Sequence, residues 1–148
     1  MCRGSSLSDP GVISLLNRSF VSLELNVTDT GFPAALGALR SWEEPYRQSS
    51  FYQNAFANSV VLTPDGGSIL GRSGGGRRWE IDSAVIYCPD KFLKYLEMSA
   101  DGWDNAQRAA RDPKLSPGER QQRVREAVSA TLRETRAYSE SNRSNTGP

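Results

Sequence analysis

The apolar positions change period early in the chain. Val12, Leu15 and Leu16 fall three and four residues apart, and Ser19 continues the same face. This spacing predicts a helix with one apolar stripe. Asp9 ahead of it can accept backbone N–H bonds as N-cap, and Pro10 suits the first helical position, where a missing N–H costs nothing. From Val21 the period becomes two: Val21, Leu23, Leu25 and Val27 alternate with Ser22, Glu24 and Asn26. That alternation predicts a strand with one wet face, at the edge of a sheet, because a strand buried on both faces reads as a continuous apolar run.

Residues 28–33 are turn formers, and Leu36, Leu39, Trp42 and Tyr46 return to helical spacing until Pro45 ends that helix near Glu44. Residues 59–63 predict a short buried strand and 68–71 its partner, reversed by Pro64-Asp65-Gly66-Gly67. Residues 72–78 read as an exposed, poorly ordered glycine-rich loop. A further strand is predicted around Ala84-Val85-Ile86-Tyr87. Asp90 is the expected cap of a helix carrying Phe92, Leu93, Tyr95 and Leu96. Ser116-Pro117-Gly118-Glu119 has the form of a capping box. The helix it opens bears a narrow stripe at Val124, Val128 and Leu132, so the reading places it along one side of a domain that folds without it. Residues 139–148 are polar and read as a disordered tail.

Composition narrows the function more than it names it. A chain of 148 residues can form one domain with a real core, and its net charge of +1 gives no global attraction to nucleic acid or an anionic membrane. No apolar run approaches a membrane span and no leader precedes the first helix, which makes a cytoplasmic location the expectation. The chain has no histidine, which removes the usual general base, the commonest metal ligand and any Ser/His or Cys/His pair. Its two cysteines, Cys2 and Cys88, make neither a disulfide framework nor a metal cluster on this reading.

The run Asp9-Pro10-Gly11-Val12-Ile13-Ser14-Leu15-Leu16-Asn17-Arg18-Ser19-Phe20-Val21, followed later by Pro64-Asp65-Gly66 between two strands, resembles bacterial thioredoxin-like families. The resemblance covers residues 7–97. It implies an α/β, thioredoxin-like fold in β-α-β-α-β-β-α order with the first strand missing. Residues 1–111 would form that domain, 112–138 a helical extension and 139–148 the tail. The abrupt start at Met1-Cys2 adds the expectation that the missing strand lies upstream; otherwise a partner segment or residues 79–87 must fill its place. Family members that carry out redox chemistry hold C-x-x-C at the first helix. Here Cys2 is followed by Arg3-Gly4-Ser5, and the family's cis-proline position falls near Ala57. The resemblance therefore implies a degenerate, non-catalytic binding or scaffold module without cofactor, open to a protein partner through the Trp42/Tyr46 region or the last helix. The alternative is a thiol-disulfide oxidoreductase in which Cys2 is catalytic and an upstream cysteine completes the pair.

The remaining candidates each have a plainer reading. Cys2 is a residual redox thiol or an exposed terminal cysteine, and Cys88 a buried small hydrophobe or a redox group. Arg72-Ser73-Gly74-Gly75-Gly76-Arg77-Arg78 could cradle phosphate, yet it lacks the Walker spacing and lysine, and a loop is the favoured reading. Arg120, Arg123, Arg125, Arg133 and Arg136 interleave with Glu119, Glu126 and Glu134, which favours a solvated helix face over a nucleic-acid surface. Trp42, Trp79 and Trp103 read as core residues. Asn17-Arg18-Ser19, Asn26-Val27-Thr28 and Asn142-Arg143-Ser144 match the glycosylation pattern.

Overall fold

Asp9 starts the first helix as its position dictates. In a computed structural model that describes residues 6–24, 34–39, 59–73, 85–86 and 88–142, its carboxylate accepts the Val12 N–H at 3.0 Å and opens α1 (Pro10–Ser19). Val12 and Leu15 are the buried residues of that helix, and a turn of 3-10 helix, Ser6–Ser8, leads into it. The helix ends where Phe20 turns extended and its N–H returns to the Leu16 carbonyl.

The hairpin forms where the sequence predicts it. Strand β1 (Val60–Leu62) pairs antiparallel with β2 (Ile69–Arg72), with Val60 opposite Arg72 and Val61 opposite Gly71. Pro64 suits the second position of the turn that Gly66 N–H closes on the Thr63 carbonyl at 2.8 Å. Gly66 adopts a φ of 68°, and a Cβ there would come within 3.0 Å of the Ala35 carbonyl. Asp65 Oδ1 accepts from the Thr63 hydroxyl at 2.5 Å and from Gly67 N–H at 3.0 Å, and these bonds hold its carboxyl below the ordinary 3.8. A second 3-10 turn, Gly37–Leu39, docks on the hairpin through Ala38 N–H to the Gly66 carbonyl.

Two long helices complete the described structure: α2 (Pro89–Ala110) and α3 (Pro117–Ser141). One face of α2 buries Phe92, Tyr95, Leu96, Ser99, Gly102 and Ala106, large at its start and small toward its end. The large end forms the core with Val12, Leu15, Val61, Leu70, Val85 and Ile86, and the Phe92 and Tyr95 rings stack at 5.9 Å. The small end receives α3. A Cβ on Gly102 would overlap the Thr131 side chain, and one on Gly71 would lie 3.1 Å from the Tyr95 ring. The capping box of Ser116 and Glu119 forms as predicted.

Helix α3 also closes the outer edge of β2. Ser73 N–H points to the Ser59 carbonyl across the hairpin, so by the alternation of a strand the carbonyls of Arg72 and Leu70 point away from β1. Ser139 Oγ donates to the Arg72 carbonyl at 3.1 Å. The Thr135 hydroxyl shares its proton between the Leu70 carbonyl at 3.2 Å and its own helix at Thr131, 2.9 Å away. Four helical residues rise about 6 Å and two strand residues about 6.6 Å, so one face of α3 stays in step with one edge of β2.

The thioredoxin-like fold is corrected by this architecture. Of the described residues 65% are helical, in three α-helices and two short 3-10 turns, and their sheet has two strands. The predicted edge strand does not form over its described part, residues 21–24, where Val21 and Leu23 are 90% and 69% exposed. Alternation specifies a face and not a pairing partner, and among the described residues no strand pairs with residues 21–24; residues 25–27 lie outside the described residues. Val85 and Ile86 form a buried turn instead of a strand, closed by Cys88 N–H on the Val85 carbonyl. The cap of α2 is Cys88 rather than Asp90, because Pro89 already has a helical φ and begins the helix earlier. Ser139 belongs to α3 and is 1% exposed, so the tail predicted from 139 does not begin there. Arg72 and Ser73 end the hairpin rather than joining an exposed loop, with Ser73 fully buried. Residues 40–58, 74–84 and 143–148 lie outside the described residues, as do Trp42, Tyr46, Ala57, Trp79 and most of the glycine loop.

Two glycines should respond oppositely to alanine. Gly102→Ala gains about 1 kcal/mol of helix propensity yet must displace Thr131, so denaturant melts should show a net loss of about 1–2 kcal/mol. Gly118→Ala in the first turn of α3 meets open space and should gain about 0.5 kcal/mol. The hairpin turn is tested by acid. Asp65→Ala should cost about 1 kcal/mol at neutral pH. Because the folded-state pKa of Asp65 is lowered, its contribution is present above 3.8 and fades as pH falls through the folded value, so the variant and the parent should converge in acid.

Candidate functional site

Among the described residues, the exposed large hydrophobic side chains are those before, on and just after α1. The inner side of the helix holds Val12 and Leu15, with Leu16 and Phe20 packed against the core from its margin. Ile13 lies off that stripe and is 41% exposed. Leu7 before the helix is 62% exposed, and Val21 and Leu23 follow it at higher values still. Among the described residues every exposed large hydrophobic lies between Leu7 and Leu23. Isolated surface leucines are ordinary, and these four are notable for falling within one stretch of the sequence. The signal in the sequence was Ile13, an isoleucine on the polar side of α1; Val21 and Leu23 were visible and were assigned to a sheet.

The redox candidates separate. Cys2 lies outside the described residues. Cys88 is buried, as its sequence context predicts, but it is disulfide-bonded. The reading of Cys88 as a free thiol acting as a small hydrophobe is thereby corrected, since burial alone does not tell a thiol from a half-cystine. Ser6 reaches the same neighbourhood: it is buried, and its hydroxyl donates to the Ile86 carbonyl.

The charged candidates lie on helix surfaces or at the end of β2. Arg123, Arg125, Arg133 and Arg136 are exposed on α3, with Arg136 paired to Glu140 at 2.9 Å and Arg123 to Glu126 at 3.6 Å. Arg120 donates Nε–H to the Leu115 carbonyl. Arg72 is half-buried at the end of β2, where burial and the nearby Arg136 lower its pKa and Glu140 opposes that shift. Trp103 packs against the core from its margin. Among the described residues no three Cys, Asp or Glu side chains gather as a metal site, and no helix is long and apolar enough to cross a membrane.

Tyr95 is a buried titratable group. Its hydroxyl donates to the Ser59 carbonyl at 3.2 Å, and burial pushes its pKa well above the ordinary 10.0. It remains protonated and ties α2 to the start of β1. Comparison of the chain with family models, with curated proteins and with solved structures finds no match. The local geometry alone therefore carries the functional reading.

Tyr95→Phe should lower stability by about 1–2 kcal/mol, because the variant leaves the Ser59 carbonyl without this donor. The sign in base follows from a raised folded-state pKa. The contribution of Tyr95 is present below 10.0 and is lost as pH rises through the folded value, so alkaline melts should bring parent and variant together.

Proposed function

We propose that this chain is a non-catalytic interaction module whose contact surface is built from the apolar side chains around α1. The observation that carries the reading is the concentration of exposed Leu7, Ile13, Val21 and Leu23 in one stretch. Such a surface suits a protein partner presenting apolar side chains, because removing both surfaces from water supplies the driving force. The charged face of α3 serves a different end: its arginines alternate with glutamates, and a mixed-sign surface gives solubility without a net field for nucleic acid. Thiol–disulfide catalysis is less well supported, since Cys88 is buried and already bonded.

A random-peptide display library panned on the folded chain tests the reading. Selected peptides should be rich in aromatic and aliphatic residues, and should bind Leu23→Asp and Ile13→Asp at least about tenfold more weakly. They should bind Arg125→Ala as they bind the parent. The aspartate variants should melt like the parent, because the side chains replaced are exposed. Peptides indifferent to both aspartates, or insulin reduction that depends on a cysteine of this chain, would overturn the proposal.

A further inference from the structure

The chain that leaves α1 has its backbone unpaired. Phe20 is extended, with φ −133° and ψ 154°, and residues 21–24 after it are neither helical nor turned. All four are exposed, with Val21 and Leu23 on the apolar positions of a period of two and Ser22 and Glu24 on the polar ones. Among the described residues none hydrogen-bonds to the backbone of residues 21–24. Their N–H and C=O groups are met by water, and a row of such groups on an extended segment templates pairing with another strand. The outer edge of β2 is not open to that pairing, because the hydroxyls of Thr135 and Ser139 already occupy its carbonyls.

We infer that residues 21–24 are a strand-addition site, at which a partner protein lays an extended segment against this backbone and seats apolar side chains beside Val21 and Leu23. The inference rests on the reading of the chain as an interaction module and names the form of the partner. The backbone decides that form. A helix keeps its N–H and C=O groups bonded within itself and can offer side chains alone. An extended segment presents N–H and C=O groups at the spacing that residues 21–24 leave unmet, so main-chain bonds supply affinity and alternate side chains supply specificity. Side chains directly opposite across such a pair lie about 5 Å apart, close enough for an aliphatic or aromatic residue to cover Val21 or Leu23. The polar positions, Ser22 and Glu24, stay on the wet face. The period of two at Val21 and Leu23 thus specifies a strand that the described chain leaves without a partner of its own.

Peptides selected on the folded full chain, each remade as a series of single N-methyl variants, test the pairing. N-methylation at alternate positions should weaken binding about tenfold or more, and at the positions between them by less than about twofold, because every second N–H of a strand points to its neighbour. Amides of residues 21–24 should exchange freely in the chain alone and slow at alternate residues when the peptide is bound. Loss of affinity at every N-methyl position, as for a bound helix, would overturn the inference, as would loss at none or unchanged exchange at residues 21–24. Protection of these amides without peptide, rising with protein concentration, would also overturn it, since the occupant would then be a second copy of this chain. Each of those results, obtained with peptides that Leu23→Asp weakens, leaves the interaction module standing and removes the strand alone. A library that yields no peptide sensitive to Leu23→Asp or Ile13→Asp removes both.

Discussion

The structure depends on closing the open edge of a two-stranded hairpin. Such a hairpin is marginal alone, and its outer carbonyls would either face water or template another strand. Here the edge of β2 is met by a helix instead of a third strand. The hydroxyls of Thr135 and Ser139 stand where neighbouring N–H groups would stand in a sheet, aimed at the carbonyls of Leu70 and Arg72. This arrangement requires backbones to approach closely. It explains why α2 is small where α3 crosses it, at Ser99, Gly102 and Ala106, and why Gly71 lies beneath Tyr95 and Ser99.

The same constraint divides the molecule into two ends. Around Phe92, Tyr95 and Leu96 the packing is apolar and stacked, and α1 joins it through Val12 and Leu15. Around Gly102 and Thr131 it is tight and polar, held by hydroxyls that return to carbonyls. Tyr95 links the two, with its ring in the core and its hydroxyl on the Ser59 carbonyl. Among the described residues α1 packs at the apolar end, while the side chains of Leu7, Ile13, Val21 and Leu23 stay exposed.

Much of the local structure was legible in the sequence. Asp9 and Pro10 set the start of α1, Pro64 to Gly67 set the hairpin turn, and Ser116 with Glu119 set the start of α3, because each is a short-range hydrogen-bond or dihedral requirement. What failed was inference from local pattern to global pairing. Alternation at Val21 and Leu23 was read as an edge strand, and with it came a thioredoxin-like order that the chain does not adopt. The helix α3 was judged by Val124, Val128 and Leu132, which are half-buried, while its buried face is Thr131, Thr135 and Ser139. Those hydroxyl residues repeat every four positions, a helical period that a search for apolar stripes passes over. Of the candidate site, Cys88 was named without its bond, and Ile13 was not singled out.

The most direct test of the account is the thermal unfolding of a chain ending at Leu115, which lacks α3. If α3 supplies the missing edge, the shortened chain should show no cooperative transition, and amides of the hairpin should exchange freely. A sharp two-state melt with Val61 and Leu70 still protected would contradict it, and would make α3 an appendage to a hairpin that is complete without it.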